Sequence, residues 1–285
     1  MRDRIGLVTG ATSGIGYETA LGLAKAGARV GIVGRDAVKV DACAASLRST
    51  VPGAAIDGFV ADLSSQAAIR RLAAEIGATY PRLDVLVNNA GAIFERRQTS
   101  ADGFERTWAL DHLGYVLLTL ELLDLLKASG RPGAASRIVN VASAAHTRGR
   151  IAFDDLQSER SYGALRAYAQ AKLGNVLFTY ALARRLAGVP VTVNALHPGV
   201  VDTGFAKNTG GAFGVAWSLI RPFLIRPVDG AATSLHVAAA PQVEGVSGRY
   251  FAKRRESASS SYSRDEAVQE RTWAISLEQV GRAPW

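Results

Sequence analysis

The sequence predicts an α/β protein built on a single doubly wound parallel sheet with helices on both faces. Two observations lead to this fold class. Short apolar runs such as "RIGLVTG" and "RLDVLVNNAG" lack the alternation of a half-solvated strand, so we expect them to be buried on both faces. Segments with helical periodicity separate these runs, as in a parallel sheet whose crossovers are helices.

Strand and helix signals alternate along the whole chain. Strands are predicted in "RIGLVTG", "ARVGIVG", "AIDGFVAD", "RLDVLVNNAG", "SRIVNVAS", "VPVTVNALHPG" and "GRYFA". Helices are predicted over residues 14–26, 37–47, 64–78, 102–128, 165–182, 228–239 and 265–280. No linker or internal repeat interrupts the series, so we expect one domain over residues 1–285.

The composition favours a cytoplasmic protein. Hydrophobic residues make up 48% of the chain, which is ample for a large core. The single cysteine, Cys43, excludes an intramolecular disulfide and indicates a reducing compartment. The first strand begins about five residues into the chain and no window approaches ~18 uninterrupted apolar residues, so we expect no leader or membrane anchor.

The net charge of +8 invites a nucleic-acid hypothesis, but the arginines are scattered singly and in pairs. A solvated basic surface is the better interpretation, and no nucleic-acid partner is predicted. The sequence also has no cluster of cysteine and histidine and no spaced carboxylates. No metal site is predicted.

A glycine-rich turn, "TGATSGIG", joins the first strand to the first helix. Glycines at 10, 14 and 16 allow a tight turn and a close approach of the backbone to a ligand. The helix that follows directs free N–H groups and its positive dipole end at the turn, which suits a pyrophosphate. The position of the motif favours a dinucleotide site over a turn needed only for packing.

The end of the second strand, "GIVGRD", is expected to meet the adenosine ribose. An acidic residue there binds the ribose 2′-hydroxyl of NAD, whereas arginine accommodates a 2′-phosphate. Arg35 offers a planar cation and Asp36 is a competing acid. This pattern favours NADP(H) over NAD(H), unless Arg35 and Asp36 are only a solvated pair.

Lys172 is a charged residue on the otherwise apolar face of the helix predicted over 165–182, one turn after Tyr168. On the helix alone, the lysine could bury its methylene stem and keep its ammonium in water. The alternative is that it acts on the tyrosine.

Five motifs decide between these interpretations: "TGATSGIG", "NNAG", the serine after "IVNVA", "YAQAK" and "HPG" occur in this order. The chain thereby resembles the short-chain dehydrogenase/reductase family, which implies a Rossmann fold. The segment "DGFERTWALDHLGYVLLTLELL" is similar to the retinol dehydrogenase branch. Members of that branch often carry an N-terminal membrane anchor, which we do not expect here.

The resemblance implies that Tyr168 is the general acid/base, Lys172 its partner, and Ser143 the donor to the substrate oxygen. A nearby ammonium is expected to lower the pKa of the phenol from its reference value of about 10. The cofactor site implied by the motifs and the resemblance comprises Gly10, Thr12, Ser13, Gly14, Ile15, Gly16, Arg35, Asp62, Leu63, Asn89, Ala90, Gly91, Tyr168, Lys172, Pro198, Gly199, Val201 and Thr203.

One catalytic position departs from the family pattern. The fourth catalytic residue of the family is an asparagine whose main-chain carbonyl holds a water of the proton relay. In "ALDHLG" that position is Asp111. The aspartate is either a tolerated replacement or a charge that changes the field at Lys172. The neighbouring His112 is expected to be packed, and His146 is a candidate for the substrate mouth.

Residues 204–227, "GFAKNTGGAFGVAWSLIRPFLIRP", combine glycines with large apolar side chains. They are either a surface helix or, as the resemblance favours, a lid over a bulky hydrophobic substrate. The predicted reaction is hydride transfer between nicotinamide and a carbonyl or alcohol, acting as a ketone or aldehyde reductase. The rivals are a redox-neutral enzyme, such as an epimerase or dehydratase, and a silent NADP-binding regulator. The family often pairs through two long helices, which suggests a homodimer or homotetramer.

Overall fold

The computed structural model describes residues 1–199, 226–283 and 285. In these residues the chain forms one sheet of eight strands in the order β3-β2-β1-β4-β5-β6-β7-β8. The strands are β1 (Ile5–Thr9), β2 (Arg29–Gly34), β3 (Ile56–Val60), β4 (Val85–Asn88), β5 (Ser136–Val141), β6 (Val191–His197), β7 (Tyr250–Ala252) and β8 (Arg255–Glu256). All neighbours are parallel except β7 and β8, which are antiparallel.

Helices connect the successive parallel strands, and a further helix follows the last strand. They are α1 (Gly14–Lys25), α2 (Ala37–Thr50), α3 (Gln66–Thr79), α4 (Arg106–Trp108), α5 (Gly114–Glu121), α6 (Leu123–Ser129), α7 (Ala164–Arg185), α8 (Pro227–Ala239) and α9 (Glu266–Gln279). The order of the strands reverses between β1 and β4. In open α/β sheets a ligand crevice opens at that point, outside the carboxyl ends of the strands.

Each central strand contributes side chains to two hydrophobic layers, one on each face of the sheet. Leu7 of β1 and Ile138 of β5 point into the layer formed with α3, α5, α7 and α9. Their neighbours Val8 and Val139 point into the opposite layer, formed with α1, α2 and α8. Because successive side chains of a strand point to opposite faces, an uninterrupted apolar run serves both layers. The predicted doubly wound sheet is confirmed.

The helix predicted over residues 102–128 is wrong in its boundaries and its continuity. It begins only at Arg106, because the Glu105 carboxylate caps it by accepting hydrogen bonds from the N–H groups of Thr107 and Trp108, both at 2.8 Å. A π-helical turn, Ala109–Leu113, then separates α4 from α5. Such turns often occur at functional sites.

The C-terminal helix α9 packs against α7. The Trp273 ring stacks on Phe178 of α7 with 5.5 Å between the ring centroids. At the surface, Glu270 pairs with Arg184 and Arg185, each at 2.6 Å. This face of α7, which belongs to one of the two helices expected to pair subunits, is therefore covered within the chain.

In the part of the chain that the structure describes, no helix is both long and apolar enough to cross a lipid bilayer.

Candidate active site

The glycine turn follows β1 at the crevice. Gly10 and Gly14 adopt φ angles of +64° and +58°, which side chains rarely tolerate. A Cβ on Gly10 would lie 2.8 Å from the Cα of Ala90, and one on Gly16 would lie 2.6 Å from Asn89 Nδ2. The glycines thus serve the tight turn and its close packing against the loop after β4.

The first turn of α1 fits a pyrophosphate. Ser13 occupies the position before the helix in an extended conformation, and its side chain makes no capping hydrogen bond. Ile15 follows in the first turn, while Thr12 packs against Gly34. A helix start without a side-chain cap has N–H groups to offer an anion, and the helix dipole favours negative charge there.

Thr9 joins the glycine turn to the "NNAG" loop, and sequence reasoning missed it. Its hydroxyl accepts hydrogen bonds from the main-chain N–H groups of Asn89 and Ala90, at 2.8 and 3.0 Å. The Asn89 amide donates to the Thr9 carbonyl at 2.8 Å. The position of Thr9, a hydroxyl residue between an apolar strand and a glycine turn, is the sequence signal that could have indicated this role.

Arg35 is exposed at the end of β2, where the sequence predicted the adenosine ribose. The competing acid, Asp36, caps α2 by accepting a hydrogen bond from the Lys39 N–H at 3.2 Å. At the neighbouring strand end, Asp62 accepts from the main chain and the hydroxyl of Ser64 at 2.9 and 2.7 Å. Burial alone would raise the pKa of Asp62, but these bonds and the Arg106 and Arg35 charges lower it.

Lys172 reaches the crevice from α7, with its ammonium almost completely buried. Its Nζ lies 3.3 Å from the Val141 carbonyl oxygen and 3.4 Å from the Tyr115 hydroxyl. Asp111 Oδ2 lies 3.2 Å away in an ion pair that lacks hydrogen-bond geometry. The Val141 carbonyl and the Tyr115 hydroxyl are therefore acceptors for the ammonium within the chain. A lysine ammonium carries three N–H donors, which also suits it to a hydroxyl of a nucleotide.

Asp111 lies in the π-helical turn and is fully buried. Its Oδ1 accepts a hydrogen bond from the Ala92 N–H at 2.9 Å, and its main-chain carbonyl accepts from Asn175 Nδ2 at 2.8 Å. Burial raises the pKa of Asp111 to about 6, assisted by the charge of Glu105 and opposed by Lys172 and the Ala92 bond. The carboxylate is thus an uncommonly basic one.

Gly91 leaves just enough room for this ion pair. A Cβ at that position would lie 2.7 Å from Asp111 Oδ2 and 3.0 Å from Lys172 Nζ. The "NNAG" loop therefore contacts the ion pair of Asp111 and Lys172 through a residue without a side chain.

Tyr168 lies one helical turn before Lys172, and its ring centroid is 5.6 Å from Nζ. The expectation that the ammonium lowers the pKa of this phenol is not met. Burial raises the pKa of Tyr168 well above its usual value and the Asp111 charge adds to the rise, while a hydrogen bond with Ser143 opposes it. The main reason is the complete burial of the phenol, which disfavours the phenolate, and the negative charge of Asp111 acts in the same direction.

Ser143 follows β5 by two residues, and its hydroxyl makes a hydrogen bond with Tyr168. Its hydroxyl also accepts from the Ala145 N–H at 3.2 Å. His146 is buried behind it, rather than open to the substrate mouth: Nδ1 lies 2.7 Å from the Ser143 carbonyl oxygen, and Nε2 accepts from the Ser260 N–H at 3.2 Å. These contacts place the ring proton on Nδ1 and hold Ser143 from behind.

His112 is packed, as expected. The ring is fully buried, with Nε2 2.8 Å from the Ser276 hydroxyl and Nδ1 3.3 Å from Asn175 Oδ1. It therefore connects the π-helical turn to α9, a contact that the sequence did not reveal.

The remaining predicted positions lie around the same crevice or outside the described residues. Leu63 is buried after β3, and Pro198 and Gly199 follow β6, where the Gly199 N–H donates to His197 Nδ1 at 3.1 Å. Val201, Thr203 and residues 204–225 of the predicted lid lie outside the described residues.

Comparison with known proteins shows the family to which the chain belongs. The family model described as short chain dehydrogenase matches residues 4–212. The chain belongs to the short-chain dehydrogenase family. The resemblance stated from the motifs is thereby confirmed, and with it a place in an oxidoreductase family.

The relatives extend the match to nearly the whole chain. The chain is 41% identical over 278 residues to retinol dehydrogenase 12 of Homo sapiens, covering 98% of this chain and 86% of that protein. It is 39% identical over 282 residues to polyprenol dehydrogenase of Homo sapiens, with the same two coverages. The predicted similarity to the retinol dehydrogenase branch is confirmed.

Solved structures show the same fold. An RhlG/NADP active-site complex from Pseudomonas aeruginosa has 30% identity and a TM-score of 0.72, covering 88% of this chain and 94% of that one. An uncharacterised protein from Mycobacterium paratuberculosis has 29% identity and a TM-score of 0.79, covering 100% of this chain and 96% of that one.

Proposed function

We propose that this protein is an NADP(H)-dependent oxidoreductase that interconverts a carbonyl and an alcohol on a bulky hydrophobic substrate, working as a ketone or aldehyde reductase. One observation carries the proposal. Ser143, two residues after β5, makes a hydrogen bond with Tyr168 of α7, and Lys172 lies one helical turn further on, at the edge of the sheet where β1 leads to the uncapped start of α1.

The three side chains have separate tasks in this proposal. The phenol of Tyr168 is protonated at neutral pH, so it donates its proton to the substrate oxygen during reduction. The Ser143 hydroxyl donates a hydrogen bond to the same oxygen as negative charge develops on it. Lys172 uses an N–H group to hold a ribose hydroxyl of the nucleotide. Bound NADPH would supply the hydride.

The choice of NADP(H) rests on the end of β2. Arg35 is exposed and free of the helix cap, whereas the carboxylate of Asp36 is engaged at the start of α2. An arginine in this position suits a 2′-phosphate. The Pseudomonas aeruginosa relative is a complex with NADP, which supports the same choice.

The substrate class rests on the relatives and on the sequence. Two of the relatives are named as dehydrogenases of retinol and of polyprenol. Both of these compounds are long apolar alcohols. Residues 204–227 supply large apolar side chains that could cover such a molecule. We expect a hydrophobic ketone or aldehyde to be reduced.

The test is a panel of hydrophobic ketones and aldehydes, assayed with NADPH and with NADH. We expect consumption of NADPH that stops in Tyr168→Phe, which keeps the ring and removes the proton donor. Product formation without loss of NADPH absorbance would contradict the proposal and favour a redox-neutral enzyme. Nucleotide binding with no turnover on any member would favour the silent regulator.

A second variant tests the cofactor. Arg35→Ala should raise the Michaelis constant for NADPH several-fold and leave that for NADH nearly unchanged, because only NADPH carries the 2′-phosphate. An equal change for both cofactors would contradict the assignment of Arg35.

A further inference from the structure

The catalytic cluster contains a carboxylate where the family pattern has a neutral amide. Asp111 Oδ2 lies 3.2 Å from Lys172 Nζ, and both side chains are almost completely buried. The main-chain carbonyl of Asp111, to which the family resemblance assigns a relay water, already accepts from Asn175 Nδ2 at 2.8 Å. The carboxylate of Asp111 is thus in direct contact with the Lys172 ammonium.

The position of Asp111 is held from several sides. Ala92 donates its N–H to Oδ1 at 2.9 Å, and the loop passes so close that a Cβ on Gly91 would lie 2.7 Å from Oδ2. The backbone of Asp111 is fixed in the π-helical turn. A carboxylate held this firmly in a water-poor site acts strongly on nearby charges.

We infer that Asp111 is a positioning residue, which pairs with the ammonium of Lys172 and so keeps Tyr168 protonated to a higher pH than a neutral side chain in its place would allow. The inference rests on the proposed function in one respect, namely that Tyr168 is the proton donor.

The other charged and titratable groups around the cluster do not replace this effect. Glu105, which precedes α4, adds negative charge near Asp111. Tyr115 of α5 is a buried phenol whose pKa is raised well above its usual value, and Tyr162, before α7, also has a raised pKa. His112 is buried with a pKa lowered to about 3, so it is neutral.

The consequence is a wide pH range for reduction. Reduction needs the protonated phenol and alcohol oxidation needs the phenolate, so both rates depend on the same ionisation. The equilibrium between substrates and products at a given pH does not depend on the enzyme. Removal of the Asp111 charge must therefore move the pH profiles of the two directions together.

The experiment compares the full-length protein with Asp111→Asn, which carries the amide of the family pattern. We expect the fall of kcat/KM for reduction and its rise for oxidation both to move to lower pH, by about one unit or more. On the rising part of the profile, oxidation should then be about tenfold faster than in the unaltered protein. Asp57→Asn is the control, because Asp57 pairs with Arg29 at 2.7 Å near the amino end of β3; its profiles should not move.

A second measurement needs no turnover. Tyrosinate absorbance is followed against pH in the protein and in Tyr168→Phe, and the difference reports Tyr168 alone. The same pair is then measured in the Asp111→Asn background, where we expect the Tyr168 transition at lower pH. An unchanged transition, or unchanged pH profiles in an active variant, would overturn the inference. A shifted transition in a protein that reduces no carbonyl would uphold the role of Asp111 and refute the proposed function.

Discussion

Gly91→Ala is a small change that disturbs the ion pair of Asp111 and Lys172 directly. The added methyl carbon would lie 2.7 Å from Asp111 Oδ2, 3.0 Å from Lys172 Nζ and 3.2 Å from Asp111 Cγ. Contacts below 3.0 Å do not persist, so the carboxylate has to move. It cannot do so freely, because its other oxygen is bound to the Ala92 N–H.

The size of the effect follows from these contacts. Overpacking a buried site by one methyl group costs about 1–3 kcal/mol in the free energy of unfolding. If the movement separates Asp111 from Lys172 completely, the loss rises to about 3–5 kcal/mol. A displacement of Lys172 by about 1 Å is expected to lower kcat/KM for carbonyl reduction about 100-fold.

Urea unfolding and steady-state kinetics measure both effects. The matched control is Gly77→Ala, since Gly77 lies inside α3 and a Cβ there would meet no atom within 4 Å. That change should stabilise the protein by about 0.5–1 kcal/mol and leave the rate unchanged. Gly91→Ala with ordinary stability and ordinary kcat/KM would refute the described packing of Gly91 against the ion pair.

Two further predictions concern the contacts of α9 and the π-helical turn. Trp273→Ala should lower the free energy of unfolding by about 3–5 kcal/mol, because the buried ring stacks on Phe178. Burial lowers the pKa of His112 from 6.5 to about 3, so the ring is neutral in the folded protein. Its contribution to the free energy of unfolding is therefore complete above pH 6.5 and is lost as the pH falls below that value. Between pH 7 and pH 4 the free energy of unfolding of this protein should fall by about 3 kcal/mol more than that of the His112→Asn variant.

Urea unfolding at the two pH values measures both predictions, and each has a control. Trp285, at the chain end, is half exposed, so Trp285→Ala should cost less than 1 kcal/mol, on the order of a surface change. A Trp273→Ala protein as stable as Trp285→Ala would contradict the packing of α9. The pKa of Asp111 is raised to about 6, so its protonation stabilises the folded state as the pH falls, whereas that of His112 destabilises it. Asp111 is present both in the unaltered protein and in His112→Asn, so its effect cancels in the comparison. Equal decreases in the free energy of unfolding of the unaltered protein and of His112→Asn would show that His112 is not buried as described.

Much of the site was predictable because it lies at strand ends. Asn89 follows β4 by one residue and Ser143 follows β5 by two, and parallel strands bring their carboxyl ends to one edge. Tyr168 and Lys172 are one helical turn apart, so their common face follows from the period of the helix. These relations are local, and sequence patterns report local geometry well.

The contacts that set the charge of the site were not predictable in this way. Asp111 meets Lys172, and Asn175 meets the Asp111 carbonyl, across more than 60 positions of sequence. A long apolar periodicity between residues 102 and 128 contains no signal for a π-helical turn. Without that turn, the direction of the Asp111 side chain is unknown.

The amino-acid sequence was sufficient to predict the doubly wound sheet and the glycine turn, because both follow from hydrophobic periodicity and from the order of strand ends along the chain. The grouping of Ser143, Tyr168 and Lys172 was expected from the resemblance to the short-chain dehydrogenase/reductase family. Only the tertiary structure decided which charge dominates at the phenol. The electrostatic effect of a buried group depends on distances of a few ångströms and on exclusion of water, and folding alone brings Asp111 to Lys172 under those conditions.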